Sequence, residues 1–192
     1  MPAVPKHREA MVESAVWLFR RQGYAATGLA EILAASGAPK GSLYHYFPGG
    51  KAEIGAAAVR RAGERVTATL THLASSSSGA GELLARYLGL LAGWMRMSGF
   101  RDGCPITTTL LETAPQDEAI RQAGAEAFAA WAAVVEQAAG AQGVPSERAA
   151  PLARFAVGAL EGALIQCRVT GDDTPLAEAA AQLTALFDSA RA

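Results

Sequence analysis

Histidine and cysteine are scarce in this 192-residue chain: three histidines, at positions 7, 45 and 72, and two cysteines, Cys104 and Cys167. No His-x-x-x-His, Glu-x-x-His or Cys-x-x-Cys spacing occurs, so no metal site is expected. The cysteines stand far apart, and only Arg101 and Arg168 lie near them as weak activators. They are read as reduced packing residues, with redox sensing at Cys104 left open as an alternative. No glycine-rich phosphate loop follows a strand pattern. The chain is therefore expected to be no enzyme and to need no cofactor.

Long apolar runs are also missing. None approaches the roughly 20 residues of a membrane span, and "MPAVPKHREAM" contains no apolar signal core. The expected setting is soluble and cytoplasmic, with no membrane partner. Charged residues make up only 18% of the chain and hydrophobic ones 51%, largely alanine. Alanine among other strong helix formers points to an all-α protein, and the length is sufficient to bury a core. The net charge of −1 hides an asymmetry. Residues 1–60 carry seven basic groups against four acidic, and residues 61–192 carry ten against fourteen. A polyanionic partner is therefore expected to meet only the N-terminal part.

Helical periodicity is what the chain has in quantity. Val12, Ala15, Val16 and Phe19 form one stripe, ended by Gly23, which predicts a helix over about 6–22. A second, over about 28–35, turns Leu29, Ile32 and Leu33 inward, with Gly28 and Glu31 forming half a capping box. After "SGA", Pro39 is placed in the first turn of a short third helix, about 39–46, which "FPGG" terminates. Lys51 opens a fourth helix running to about 73. "SSSSGAG" at 75–81 reads as a flexible break. Further helices are predicted at about 82–98, 105–113, 116–139, 147–169 and 175–190.

At about 100° per residue, Leu43 and Phe47 share one side of the third helix, while Gly41, Ser42 and His45 share the other. Lys40 and Tyr44 flank that polar side. A lysine, hydroxyls, an imidazole and a glycine that permits close approach suit phosphates and base edges. Three helices with a tight glycine-bearing turn have helix-turn-helix proportions. A structural hairpin with an ordinary polar face fits the same pattern.

Over residues 8–54, about a quarter of the chain, the sequence closely resembles the DNA-binding domain of the TetR family of transcriptional regulators. "AVWLFRRQGYAATGLAEILAASGAPKGSLYHYF", followed by a lysine, carries the resemblance. It implies a two-fold dimer on an operator duplex and a C-terminal helical domain that senses a small molecule. A composition shift near 50–60 marks the expected boundary, which the fourth helix can cross, giving 1–50 for helix-turn-helix DNA binding and 51–192 for ligand binding and dimerisation. The family's operator-contacting positions fall on Thr27, Lys40, Gly41, Ser42, Tyr44, His45 and Lys51, the last as a backbone clamp. Gly28 departs from the usual hydroxyl cap, and Pro39 from a common serine. "PGGK" is longer than the usual link and, with "GCPI" at 103–106, resembles the multidrug- and flavonoid-responsive repressor branch. Lys6 and Arg8 suit either an arm along the duplex or a solvated tail.

In the C-terminal half, Tyr87, Trp94, Met97, Phe100, Cys104, Thr108, Leu111, Phe128 and Trp131 combine aromatic, sulfur-bearing and hydroxyl groups. That mixture suits a pocket for an apolar, aromatic effector, and equally an ordinary helical core. Two stripes on the last helices contain Phe155, Leu160 and Leu164, and Leu183 and Phe187. Gly158 and Gly162 lie beside the first. Periodicity allows intrachain packing here, whereas the resemblance implies a homodimer through these helices. The expected function is a ligand-released repressor. An activator or co-repressor-dependent regulator, or a DNA-independent small-molecule-binding protein, remains the alternative.

Overall fold

The computed structural model describes residues 6–191. Among them lie nine α-helices and no strand. They are α1 (Lys6–Gln22), α2 (Leu29–Ser36), α3 (Leu43–Tyr46), α4 (Gly50–Ala74), α5 (Ala80–Met97), α6 (Pro105–Thr113), α7 (Glu118–Ala141), α8 (Ser146–Thr170) and α9 (Thr174–Ser189). Each helix predicted from periodicity is present with ends displaced by two residues at most, except the third. That one opens as a 3-10 turn, Lys40–Ser42, which passes directly into α3. Pro39 precedes the turn in extended conformation (φ −60°, ψ 138°) instead of occupying its first helical position.

The chain forms two compact units that do not follow chain order. The first comprises Met1–Glu64 and Cys104–Ala127, and the second Arg65–Gly103 and Phe128–Ala192. They part neither at residue 50 nor at any single point, because α6 and the start of α7 belong with the N-terminal helices. α4 contributes residues to both.

In the first unit α1 packs on α2 and α6. Met11, Val12, Ala15, Val16, Leu18 and Phe19 of α1 are buried, and Ile32, Leu43, Phe47, Ile54, Ile106 and Ile120 complete this core. Gly37 ends α2 at φ +63°, a left-handed conformation that costs a side-chain-bearing residue more than glycine and that turns the chain sharply toward Lys40. Arg61 on α4 pairs with Glu9 at 2.9 Å and Glu13 at 3.6 Å, linking α4 to α1.

In the second unit α5 and α8 both pack on α9. Leu83, Leu84 and Leu88 lie buried there with Leu160, Leu164, Leu176, Leu183 and Phe187. Gln142 accepts from the Ala80 amide at 2.7 Å and donates to the Phe187 carbonyl at 3.0 Å, stapling α5 and α9 to the end of α7. The serine run is no open linker. Ser77 Oγ donates to Leu73 O (2.8 Å), and Arg86 Nη1 donates to Ser76 O (3.0 Å), Ser76 Oγ (2.9 Å) and Ser77 Oγ (3.1 Å). The amide and hydroxyl of Ser78 both donate to Glu82 Oε2. These bonds satisfy helix-end groups that the sequence pattern left unassigned.

Candidate nucleic-acid interface

A seven-residue helical stretch is too short to persist alone, so residues 40–46 must be held by packing. Leu43 and Phe47 do this: both are buried, and each contributes about 1.5–3 kcal/mol by removal from water. The Arg8 guanidinium lies over the Phe47 ring, 5.0 Å from its centroid, which places Arg8 at the base of this stretch. With its apolar residues anchored, the stretch exposes the opposite side. Lys40, Gly41 and His45 are exposed, Ser42 is half-buried, and Tyr44 retains 66% of its surface. A Cβ at Gly41 would meet no atom within 4 Å, so nothing inside the chain requires a glycine there. The His45 ring packs edge-on against Tyr46 at 4.9 Å. Ser42 Oγ donates to the Pro39 carbonyl at 2.7 Å.

The start of α4 completes this surface. Gly49 donates its amide to Glu53 Oε2 at 2.9 Å, capping the helix, and the Tyr44 ring reaches within 3.9 Å of where a Gly50 Cβ would stand. Lys51 follows immediately. Its ammonium donates to the Ala25 carbonyl at 3.3 Å and sits 4.4 Å from the centroid of the Tyr24 ring. Partial burial lowers the Lys51 pKa from its ordinary value, and the Glu112 carboxylate opposes that shift. Burial, reinforced by Asp117, raises that of Tyr24. Tyr24 as the aromatic seat of Lys51 was not legible in the sequence, because the two lie 27 positions apart and meet only through folding.

Thr27 does not share the exposed face. Its side chain is fully buried, and its hydroxyl donates to Gly23 O at 2.7 Å inside the α1–α2 turn. Its assignment as a contacting side chain is corrected to one that shapes the turn. The structure thus brings Lys40, Gly41, Ser42, Tyr44, His45 and Lys51 to the short helix and the α4 terminus that follows it, without Thr27.

The expected effector residues do not form one inward-facing set. In the second unit Tyr87 and Trp131 are buried, and Trp131 meets Phe128 edge-on at 5.3 Å. Trp94 is about half exposed and Met97 85% exposed, because α5 buries the opposite side against α9. Phe100, half-buried, has a left-handed φ of +59° just beyond α5. In the first unit Leu111 is 75% exposed, and Cys104 precedes α6. The Thr108 hydroxyl is committed to Cys104 O at 2.9 Å and Phe19 O at 3.2 Å. Trp94, Met97 and Leu111 are accordingly corrected from lining residues to surface residues.

The expected dimer stripes divide as well. Leu160, Leu164, Leu183 and Phe187 are buried within the chain, where α8 meets α9, and offer almost no surface to a second copy. Phe155 is 60% exposed, and Cβ atoms at Gly158 and Gly162 would meet nothing within 4 Å. Ile165 and Val169, which the sequence reading passed over, continue this exposed side of α8. Among the described residues, no helix is long and apolar enough to cross a membrane.

Comparison with known proteins agrees with this architecture. Residues 12–58 match the family of bacterial regulatory proteins called the tetR family, and residues 80–182 match the C-terminal domain of LmrA/YxaF-like transcriptional regulators. An uncharacterized HTH-type transcriptional regulator of Mycobacterium tuberculosis, Rv0196, is 38% identical over 174 residues, covering 88% of each chain. The HTH-type transcriptional regulator LmrA of Bacillus subtilis is 31% identical over 169 residues, covering 88% of this chain and 90% of LmrA. In fold, the chain is similar to reduced NemR of Escherichia coli, with a TM-score of 0.84, 24% identity, and coverage of 94% of this chain and 96% of that one. With both halves of the chain matched and the anchored helix-turn-helix in place, the chain belongs to the TetR family of transcriptional regulators, which are DNA-binding proteins and not enzymes.

Proposed function

We propose that this regulator is a homodimeric repressor that leaves its operator when a small apolar or aromatic effector binds. The observation that carries the DNA-reading part is the division of residues 40–47: Leu43 and Phe47 are buried while Lys40, Tyr44 and His45 are exposed. In this reading Tyr44 and Lys51 hold backbone phosphates, and Lys40, Ser42 and His45 touch phosphate or base edges across a backbone approach that Gly41 permits. DNA reading is assigned to residues 1–50, with sensing and dimerisation assigned to 51–192. Tyr87, Phe100, Phe128 and Trp131 are the aromatic groups of the second unit closest in character to an effector site.

The exposed side of α8, with Phe155, Gly158, Gly162, Ile165 and Val169, supports pairing of two copies through this helix. Dimerisation would set the two short helices about 34–36 Å apart for successive major grooves. α4 contains Lys51 at one end and reaches the second unit at the other, so a tilt of α4 changes that spacing. An effector can drive the change only through a preference for the released arrangement.

Fluorescence anisotropy with a labelled duplex from beside the protein's own gene, across a salt series, tests the reading. Saturable binding above that of a scrambled duplex, weakening as salt rises, is expected. Tyr44→Ala, His45→Ala and Lys51→Ala should each weaken it by about 1–3 kcal/mol, roughly five- to 150-fold, with the dimer intact. Near-wild-type affinity in all three would remove the interface assignment. Aromatic compounds that tighten binding instead of releasing it would reverse the sign to a co-repressor.

A further inference from the structure

We infer that Glu112, at the end of α6, is a positioning residue for DNA binding: it holds the α1–α2 turn and, through that turn, sets the location of Lys51. The inference rests on the proposed role of Lys51 at the phosphate backbone. It is carried by a juxtaposition at Ala25 that neither helix-turn-helix chemistry nor an effector pocket requires.

Both backbone polar groups of Ala25 are engaged by side chains from distant parts of the chain. Its N–H donates to Glu112 Oε2 from α6, and its carbonyl accepts from Lys51 Nζ on α4 at 3.3 Å. The two partners also sense each other directly, since the Glu112 carboxylate favours the charged form of Lys51. Gly23 makes room for this arrangement. Its φ is +89°, and a Cβ there would overlap Glu112 Oε1, so the turn presents a bare backbone face to the carboxylate.

The rest of the turn transmits what Ala25 does. Thr27 Oγ1 donates to Gly23 O at 2.7 Å, and the Thr27 amide donates to Tyr24 O at 3.1 Å. The Tyr24 ring meets the Phe19 ring at a tilt of 55° with centroids 5.3 Å apart, and it underlies Lys51. α6 is seated here a second time, because Thr108 Oγ1 donates to Phe19 O at 3.2 Å at the end of α1. A change in α6 therefore reaches the start of α2 and the Lys51 ammonium through contiguous contacts of one compact unit. The carboxylate–amide bond is charge-assisted, and its loss leaves Lys51 with one fewer fixed reference.

The test is a double-mutant cycle in the full-length chain, again with the labelled duplex from beside its own gene. Glu112→Ala should weaken binding about five- to tenfold and lower the steepness of the salt dependence by about one released counterion, as loss of one phosphate contact does. Glu112→Gln keeps a carbonyl oxygen for the Ala25 amide and should stay within about twofold of wild type. Glu112→Ala placed on Lys51→Ala should cost less than about twofold more, because the two residues act through one contact. In the free protein, amide exchange at Ala25 should quicken in Glu112→Ala and not in Glu112→Gln. Should Glu112→Ala lose its helical fold, Glu112→Asp, one methylene shorter, carries the same comparison.

Wild-type salt dependence in Glu112→Ala, an effect simply multiplicative with Lys51→Ala, or unchanged exchange at Ala25 would each overturn the positioning role. If wild type binds the duplex and Glu112→Ala matches it, only this inference falls. A wild-type chain that binds no duplex removes the proposed function and this inference with it.

Discussion

Thr27 and Tyr44 each carry a hydroxyl, and each is assigned to the operator by resemblance. In the fold the Thr27 side chain is enclosed in the α1–α2 turn with its hydroxyl on Gly23 O, whereas the Tyr44 ring faces outward beside the start of α4. The difference predicts different phenotypes. Thr27→Val, nearly the same shape without the hydroxyl, should lower unfolding stability by about 1 kcal/mol through loss of that hydrogen bond. Urea denaturation would read it, and duplex affinity measured well below the unfolding transition should change less than about threefold. A large affinity loss at unchanged stability would restore Thr27 to the contacting set. Spacing alone could not separate the two residues, because only the folded α1–α2 turn encloses Thr27 while the short third helix leaves Tyr44 outward.

At the scale of elements, the strongly periodic helices were legible almost to the residue, and the serine run was not. α1, α6 and α8 each declare themselves by apolar stripes and end signals. Four serines and two glycines carry no such pattern, so residues 75–81 read as a flexible break. They are ordered by Arg86, which lies one helix later and supplies donors to the end of α4. Arg86→Ala should therefore quicken amide exchange across about 74–79 and lower stability by about 0.5–1 kcal/mol, since the guanidinium is exposed. Protection of those amides equal to wild type would show that the serine hydroxyls suffice. The short third helix illustrates the converse: the spacing of Leu43 and Phe47 predicts that these two are buried together, and they are.

At the scale of the whole molecule, the proposed pairing through α8 separates surface from core. Phe155→Glu combined with Val169→Glu should yield monomers by sedimentation while helicity and the melting transition stay near wild type, because both side chains are exposed. Leu160→Asp, by contrast, places an unpaired charge in the packed interior of the second unit and should lower stability by several kcal/mol. A folded dimer surviving Phe155→Glu with Val169→Glu would move the interface elsewhere. A soluble monomer with wild-type stability from Leu160→Asp would mean that Leu160 faces a partner after all.

Composition and periodicity by themselves determined an all-helical chain, the extent of its helices, and the burial of Leu43 and Phe47 within residues 40–47. These are local properties, set by which residues recur every three to four positions and by where glycine and proline interrupt them. Tertiary structure alone decided that α6 joins the N-terminal helices, that Thr27 is enclosed, that Leu160 and Phe187 face inward while Phe155 and Val169 do not, and that Glu112 and Lys51 meet at Ala25. A helix with apolar residues on more than one side offers several faces, and only the neighbours it packs against determine which one is covered.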